Sequence, residues 1–252
     1  FQMQRPRFGL RSNLHPCHTN QTMSDKQNQS LVVSLELAQR SGSVAAKLGE
    51  GEIIEVEAIQ GDRDRDSVMP ALDKAINLVG GNPQKIDSVL VSIGPGGFTG
   101  LRVAVATAKM ISLATGANIV PVETAIGVVG ADEHAPQKSL VISAIKNSTC
   151  WLSDVDKDHW TCKSRLIKFE DFEQLIHGQC VIYSDSFLPD EVVSMCNDKG
   201  AEIRRVSSRA SSIMYVGLGF LAEGKTVDPN ALLPLYPREP EAVRNWKVQH
   251  RQ

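Results

Sequence analysis

The sequence predicts an α/β protein made of two copies of one unit, each a mixed β-sheet flanked by helices. Three observations predict it. From residue 31 onward, short apolar or alternating runs are separated by Ser-Gly and Gly-Glu-Gly turns, the pattern of strands joined by tight connections. The period then switches to helical spacing, with Val68, Leu72, Ile76 and Val79 on one face and Gly80-Gly81 closing the run. Finally, the order of three strands, helix, strand, helix, strand, helix occurs twice, offset by about 110 residues.

The first copy reads as strands at 31–37, 43–49 and 53–59, a helix over 66–79, a strand at 86–93, a helix over 99–115, a strand at 118–122 and a short helix. The second reads as strands at 139–145, 148–155 and 162–169, a helix near 170–177, a strand at 179–184, a helix near 189–199, a strand at 202–206 and a helix at 208–223. Ser207/Ser208 is the expected cap of that last helix and Gly224 its stop. Strands joined by short turns pair antiparallel, whereas those after helical crossovers pair parallel. This is the duplicated ribonuclease-H-like, or actin-like, fold: two mixed sheets flanked by helices. The expected divisions are an N-terminal extension at 1–30, a first half at 31–130, a second half at 131–236 and a tail at 237–252.

Composition narrows the function. The 252 residues carry 27 Lys+Arg against 29 Asp+Glu, a near-neutral balance that argues against a chain whose main task is gripping phosphate backbones. Seven Phe, three Trp and three Tyr are too few for a base-stacking platform. The most apolar segment, 99–122, is interrupted by Arg102 and Lys109, so no membrane span is expected. Five cysteines without a C-x-x-C read as reduced and intracellular, and a cytoplasmic location is expected. Residues 1–30 are polar, Arg-rich and without periodicity, which points to disorder; Met23 looks like a natural start.

The sharpest motif is IGPGGFTGLRVAVATAKMISLATG at 93–116. Gly94, Pro95, Gly96, Gly97, Phe98, Thr99, Gly100 and Arg102 lie between a buried strand and a helix. Such glycines allow a tight turn or a close approach, Thr99 is placed to cap the helix, and exposed N–H groups at a helix start attract anions. The spacing is neither a dinucleotide fingerprint nor a Walker loop. A phosphate site and a structural strand–helix turn both remain open. The helix that follows is apolar almost all round, so it must be covered on every side, by its own core or by another chain. Asp62, Asp64 and Asp66 alternate with Arg63 and Arg65, which reads as a solvated charge run. No H-E-x-x-H or G-x-S-x-G occurs.

The 93–116 motif resembles the signature of the TsaB family, the bacterial tRNA threonylcarbamoyladenosine biosynthesis proteins. The resemblance extends to SLELAQRSGSVAA with RDRDSVMPALDKAINL near the start, and to FLAEGKTVDPNALLPLYPREPEAVRNWK at the close. It covers roughly 31–247 and implies a non-catalytic scaffold of the same duplicated fold. Such a scaffold pairs with the catalytic subunit TsaD and is joined by the ATPase TsaE; the charge balance fits only indirect contact with tRNA, and whether the free chain pairs with itself is left open. The implied interface is the helix pair 66–79 and 99–115, here Val68, Met69, Leu72, Ile76, Leu101, Ala104, Val105, Ala108 and Lys109.

Departures from the catalytic relatives fit that role. Thr124 and Val128 stand where two metal-binding histidines are expected. Glu36 and Lys146 hold the first-strand positions at which actin-like folds place a carboxylate toward magnesium and nucleotide, which makes them degenerate nucleotide positions. Asp64, six residues before Pro70, replaces a histidine usual before the first helix. No resident cofactor is expected beyond ADP or ATP at the partner interface. The rival expectation is an ATP-dependent transferase of the actin/sugar-kinase class, with phosphate at the 94–100 loop.

Overall fold

The computed structural model describes residues 29–39, 41–58, 67–146, 148–176, 180–184, 188–236, 246 and 250. Asp62, Asp64 and Asp66, most of the two termini and the side chain of Lys146 lie outside that set.

Strands β1 (Leu31–Glu36), β2 (Gly42–Leu48), β3 (Ile54–Ala58), β4 (Ile86–Ser92) and β5 (Asn118–Val122) form one sheet in the order β3-β2-β1-β4-β5. Strands β6 (Lys138–Lys146), β7 (Thr149–Asp156), β8 (Thr161–Lys168), β9 (Val181–Ser184) and β10 (Glu202–Arg204) form a second, ordered β10-β9-β6-β7-β8. Read from the meander side, the two orders are identical. In each, the three short-linked strands are antiparallel and the two reached by crossovers are parallel, as the connection lengths require. All six residues of β1 are buried, because its sheet is covered on both faces.

The helices are α1 (Val68–Leu78), α2 (Phe98–Thr115), α3 (Thr124–Gly130), α4 (Phe169–Phe172, followed by a 3₁₀ turn at Glu173–Leu175), α5 (Asp190–Asp198) and α6 (Ala210–Ala222). On the outer faces, α1 packs on β2 and β3 and α2 on β4 and β5; in the second lobe α4 packs on β8 and α5 on β10. The inner layer is exchanged. The last helix of the first copy, α3, lies on β6, β7 and β8, whereas the last helix of the second copy, α6, lies on the first sheet. One cluster therefore joins Val32, Leu90 and Val120 of the first sheet to Val141, Val155 and Tyr183 of the second through Val129, Ile213 and Met214. Gly127 lets the two inner helices cross closely, since a Cβ there would collide with Ser208 Oγ and stand 2.5 Å from Ile213 Cδ1.

Three local expectations are corrected. Thr99 does not cap α2: the helix begins at Phe98 with Gly97 at its N-cap, because the Leu101 amide already donates to the Gly97 carbonyl at 3.0 Å. Ser207/Ser208 does not cap α6; Arg209 is the N-cap, Ser212 Oγ accepts its amide at 3.0 Å, and Ser208 is instead buried near Glu36. The helix expected near 170–177 is one α-turn and one 3₁₀ turn.

Candidate functional site

The Gly-rich loop is packed by the protein's own chain. Gly97 N donates to Ala38 O at 2.7 Å and Gly94 O accepts the Thr124 amide at 2.9 Å. A Cβ on Gly96 would fall 2.5 Å from both Ala38 Cβ and Ala38 O. Gly94 has φ 105 and faces Leu235 O, whose own amide donates to Ile93 O at 2.7 Å. Chain segments that are far apart in sequence thus account for the glycines without any ligand. Phe98 is exposed, tilted against Tyr236 at 5.0 Å between ring centroids, with the Arg102 guanidinium 5.1 Å from the Phe98 ring centre.

The cleft between the lobes is nearly filled. Glu36, at the end of β1, is fully buried; its Oε1 accepts the Ala38 amide at 2.7 Å, and Oε2 and the Ser208 hydroxyl lack partners of normal geometry. Burial pushes the Glu36 carboxyl up, against the lowering influence of the Ser208 and Ser92 hydroxyls and the Ala38 and Gln39 amides. Ser92 Oγ in turn meets Thr124 Oγ1 at 2.8 Å, and Val128 packs in the core. The cavity beyond, lined by Gln39, Thr124, Val128, Ser143 and Ser184, measures about 30 Å³. Ligand pockets start near roughly 300 Å³. Among the described residues, the space between the lobes is about a tenth of that size. Among the described residues, no group of three His, Cys, Asp or Glu side chains is placed to hold a metal.

A second interlobe cluster was not visible in the sequence. Glu123, the N-cap of α3, faces Ser164 Oγ at 3.4 Å, and Ser164 bonds Ser153 and Cys162 at 2.8 and 3.2 Å. Burial raises Glu123, and burial with Glu123 alongside pushes the Cys162 thiol up to about 12, so the sulfur stays protonated and inert.

The feature that faces solvent is helical and apolar. Small residues at every fourth position of α2 turn inward: Ala104 and Ala108 are 0 % exposed and Ser112 Oγ donates to Ala117 O. Val68, Leu72, Ile76, Leu101 and Val105 are buried too, leaving Met69 exposed and Lys109 half-buried among the expected interface residues. The outward face instead shows Val103, Ala106, Met110 and Leu113, the last two 59 % and 76 % exposed. Met69 of α1 is exposed too, and Met69, Leu72, Ile76, Met110 and Ala114 line a groove of about 280 Å³ between the two helices. Residues three, seven and ten positions beyond Val103 share its helical face, a spacing readable in the sequence although which face meets solvent was not.

Comparison with known proteins agrees with this architecture. Residues 61–184 match the family described as TsaD: tRNA N6-adenosine threonylcarbamoyltransferase. YeaZ from Pseudomonas aeruginosa superposes with a TM-score of 0.68 at 14 % identity, covering 82 % of this chain and 99 % of that one. The fold is YeaZ-like, and the matched segment is TsaD-like. A structure described as an uncharacterized protein with similarity to peptidase YEAZ from Pseudomonas aeruginosa gives a TM-score of 0.70 at 15 % identity, covering 83 % of this chain and all of that one. No curated protein sequence matches the chain. The TsaD-like segment runs through α1 and α2, so it contains the apolar stripe of the YeaZ-like fold.

Proposed function

We propose that the chain is a non-catalytic subunit of the machinery that places threonylcarbamoyl on the anticodon-adjacent adenosine of tRNA, docking a TsaD-type catalytic subunit through the outward face of α1 and α2. The observation that carries the reading is the stripe Val103, Ala106, Met110 and Leu113, apolar and open to water beside an apolar groove. A continuous apolar helical face is costly to leave hydrated and is the ordinary basis of helix-on-helix association. The TsaB resemblance, the YeaZ-like fold and the TsaD-like segment support the pathway.

By this reading Thr124 and Val128 are core-building residues, one bonded to Ser92 and one buried, at positions where the resemblance puts catalytic histidines. TsaE joins the assembled pair, and tRNA is held chiefly by the partner. The transferase alternative gains nothing from the 94–100 loop, where Gly96 and Gly97 face Ala38 and Gly94 faces Leu235.

Size-exclusion chromatography with light scattering, using the full chain and the TsaD protein of the same organism, tests the proposal. A one-to-one complex that is lost in Met110→Glu/Leu113→Glu supports it. No complex, or one indifferent to that variant, overturns the assigned face.

A further inference from the structure

The two lobes treat the outer face of the sheet differently. In the first, the leading outward cross-strand pair is Leu31 with Leu48 and the next is Val33 with Ala46, all buried in the cluster that includes Leu72 and Ile76 of α1. In the second, the corresponding leading pairs are Lys138 with Asp156 and Leu140 with Asp154, and Asp154 is followed across β8 by Lys163. The cover differs too. The eleven-residue α1 is replaced by the four-residue α4 and a three-residue 3₁₀ turn. Among the described residues, this leaves a cavity of about 510 Å³, floored by Leu140 and walled by Leu175 and Cys180, within the size range of small-molecule pockets.

Asp154 and Asp156 line the same cavity, and only with Arg165 do the cations there outnumber the carboxylates by one. Asp154 is occupied by Arg165 at 2.7 Å and Asp156 by His159 at 3.3 Å. Among the described residues, Lys138 and Lys163 have no ionic partner, although both line the cavity. A shortened helix alone calls for solvated side chains; two unpaired ammonium groups around an apolar floor specify more than that. An ammonium group offers three donors to an anion.

We propose that this cavity of the second lobe binds a small organic anion, a carboxylate or phosphate ester with an apolar or ring body, its charge held by Lys138 and Lys163 and its body against Leu140 and Leu175. The site is separate from the α1–α2 face, and its occupancy does not depend on partner docking.

Phenyl phosphate is the probe, titrated into the ¹⁵N-labelled full chain and followed by two-dimensional NMR, with inorganic phosphate and benzyl alcohol in parallel. The expected result is saturable shifts of the Thr161, Lys163 and Leu175 amides by phenyl phosphate, at lower concentration than by either comparison molecule. Lys138→Ala/Lys163→Ala should weaken binding about tenfold or more, as loss of charge-assisted contacts does, while the unfolding midpoint stays unchanged. Absence of saturable shifts up to the solubility of the probe overturns the proposal, as does equal affinity in the double variant. Inorganic phosphate binding as tightly as phenyl phosphate overturns the assigned ligand class.

Discussion

Single residues carry two consequences that are visible from their surroundings. Glu36 is a carboxylic acid buried at the lobe boundary, held above its ordinary range by desolvation. A group whose folded-state pKa is raised binds its proton more tightly in the folded chain, so its contribution favours folding at low pH and declines as pH rises through that elevated value. Urea midpoints of the wild type should therefore fall between pH 5 and 8, and Glu36→Gln should flatten the fall; parallel curves for the two proteins would remove Glu36 as its source. Gly96 faces the opposite constraint, one of space. Gly96→Ala puts a methyl 2.5 Å from Ala38, and the overpacking should cost about 1–3 kcal/mol, read as a lower midpoint with an unchanged m-value.

At the scale of elements, α2 shows how far sequence reading reaches. Its existence, extent and all-round apolar character were legible, because an amphipathic period that fails to appear is itself a signal. Which face met solvent was not. Small residues at i+4 spacing suit close packing against a partner helix and against a sheet equally, and only the position of β4 and β5 decides that Ala104 and Ala108 lie on the sheet side. The two faces make opposite predictions. Ala108→Glu buries an unpaired charge and should cost about 3 kcal/mol or more, unfolding much of the protein. Leu113→Glu places its charge in water, so circular dichroism and the midpoint should stay near wild type, with any loss confined to partner binding. If both variants behave alike, the face assignment is wrong. The caps were misplaced for a related reason: Ser208 satisfies the sequence preference for a cap, but a buried carboxyl lies next to it.

For the whole molecule, the doubled order of elements was the most legible feature, since it depends on many residues and not on any single one. Less legible was the exchange of α3 and α6, because strand and helix periods say which face of an element is apolar and nothing about which sheet supplies the floor. That exchange has a thermodynamic signature. Ser34 Oγ donates to Ala210 O at 2.7 Å, the Ala210 amide donates to Ser43 Oγ at 2.9 Å, and Arg209 pairs with Glu55 of β3. With its inner core shared, the chain should unfold as one unit. Calorimetry should give a single transition with matching van't Hoff and calorimetric enthalpies; two resolved transitions, one per sheet, would contradict the shared core.

The same exchange bears on how such a chain is divided. Cut between β5 and β6, neither half is self-sufficient: the first would carry a sheet with one bare apolar face, and its last helix would have no floor of its own. The simplest closed form of one isolated unit is a pair that trades terminal helices about a two-fold axis, each copy roofing the other. In the continuous chain that trade is made within one molecule, where the tether supplies the second copy at high effective concentration and no dilution can undo it.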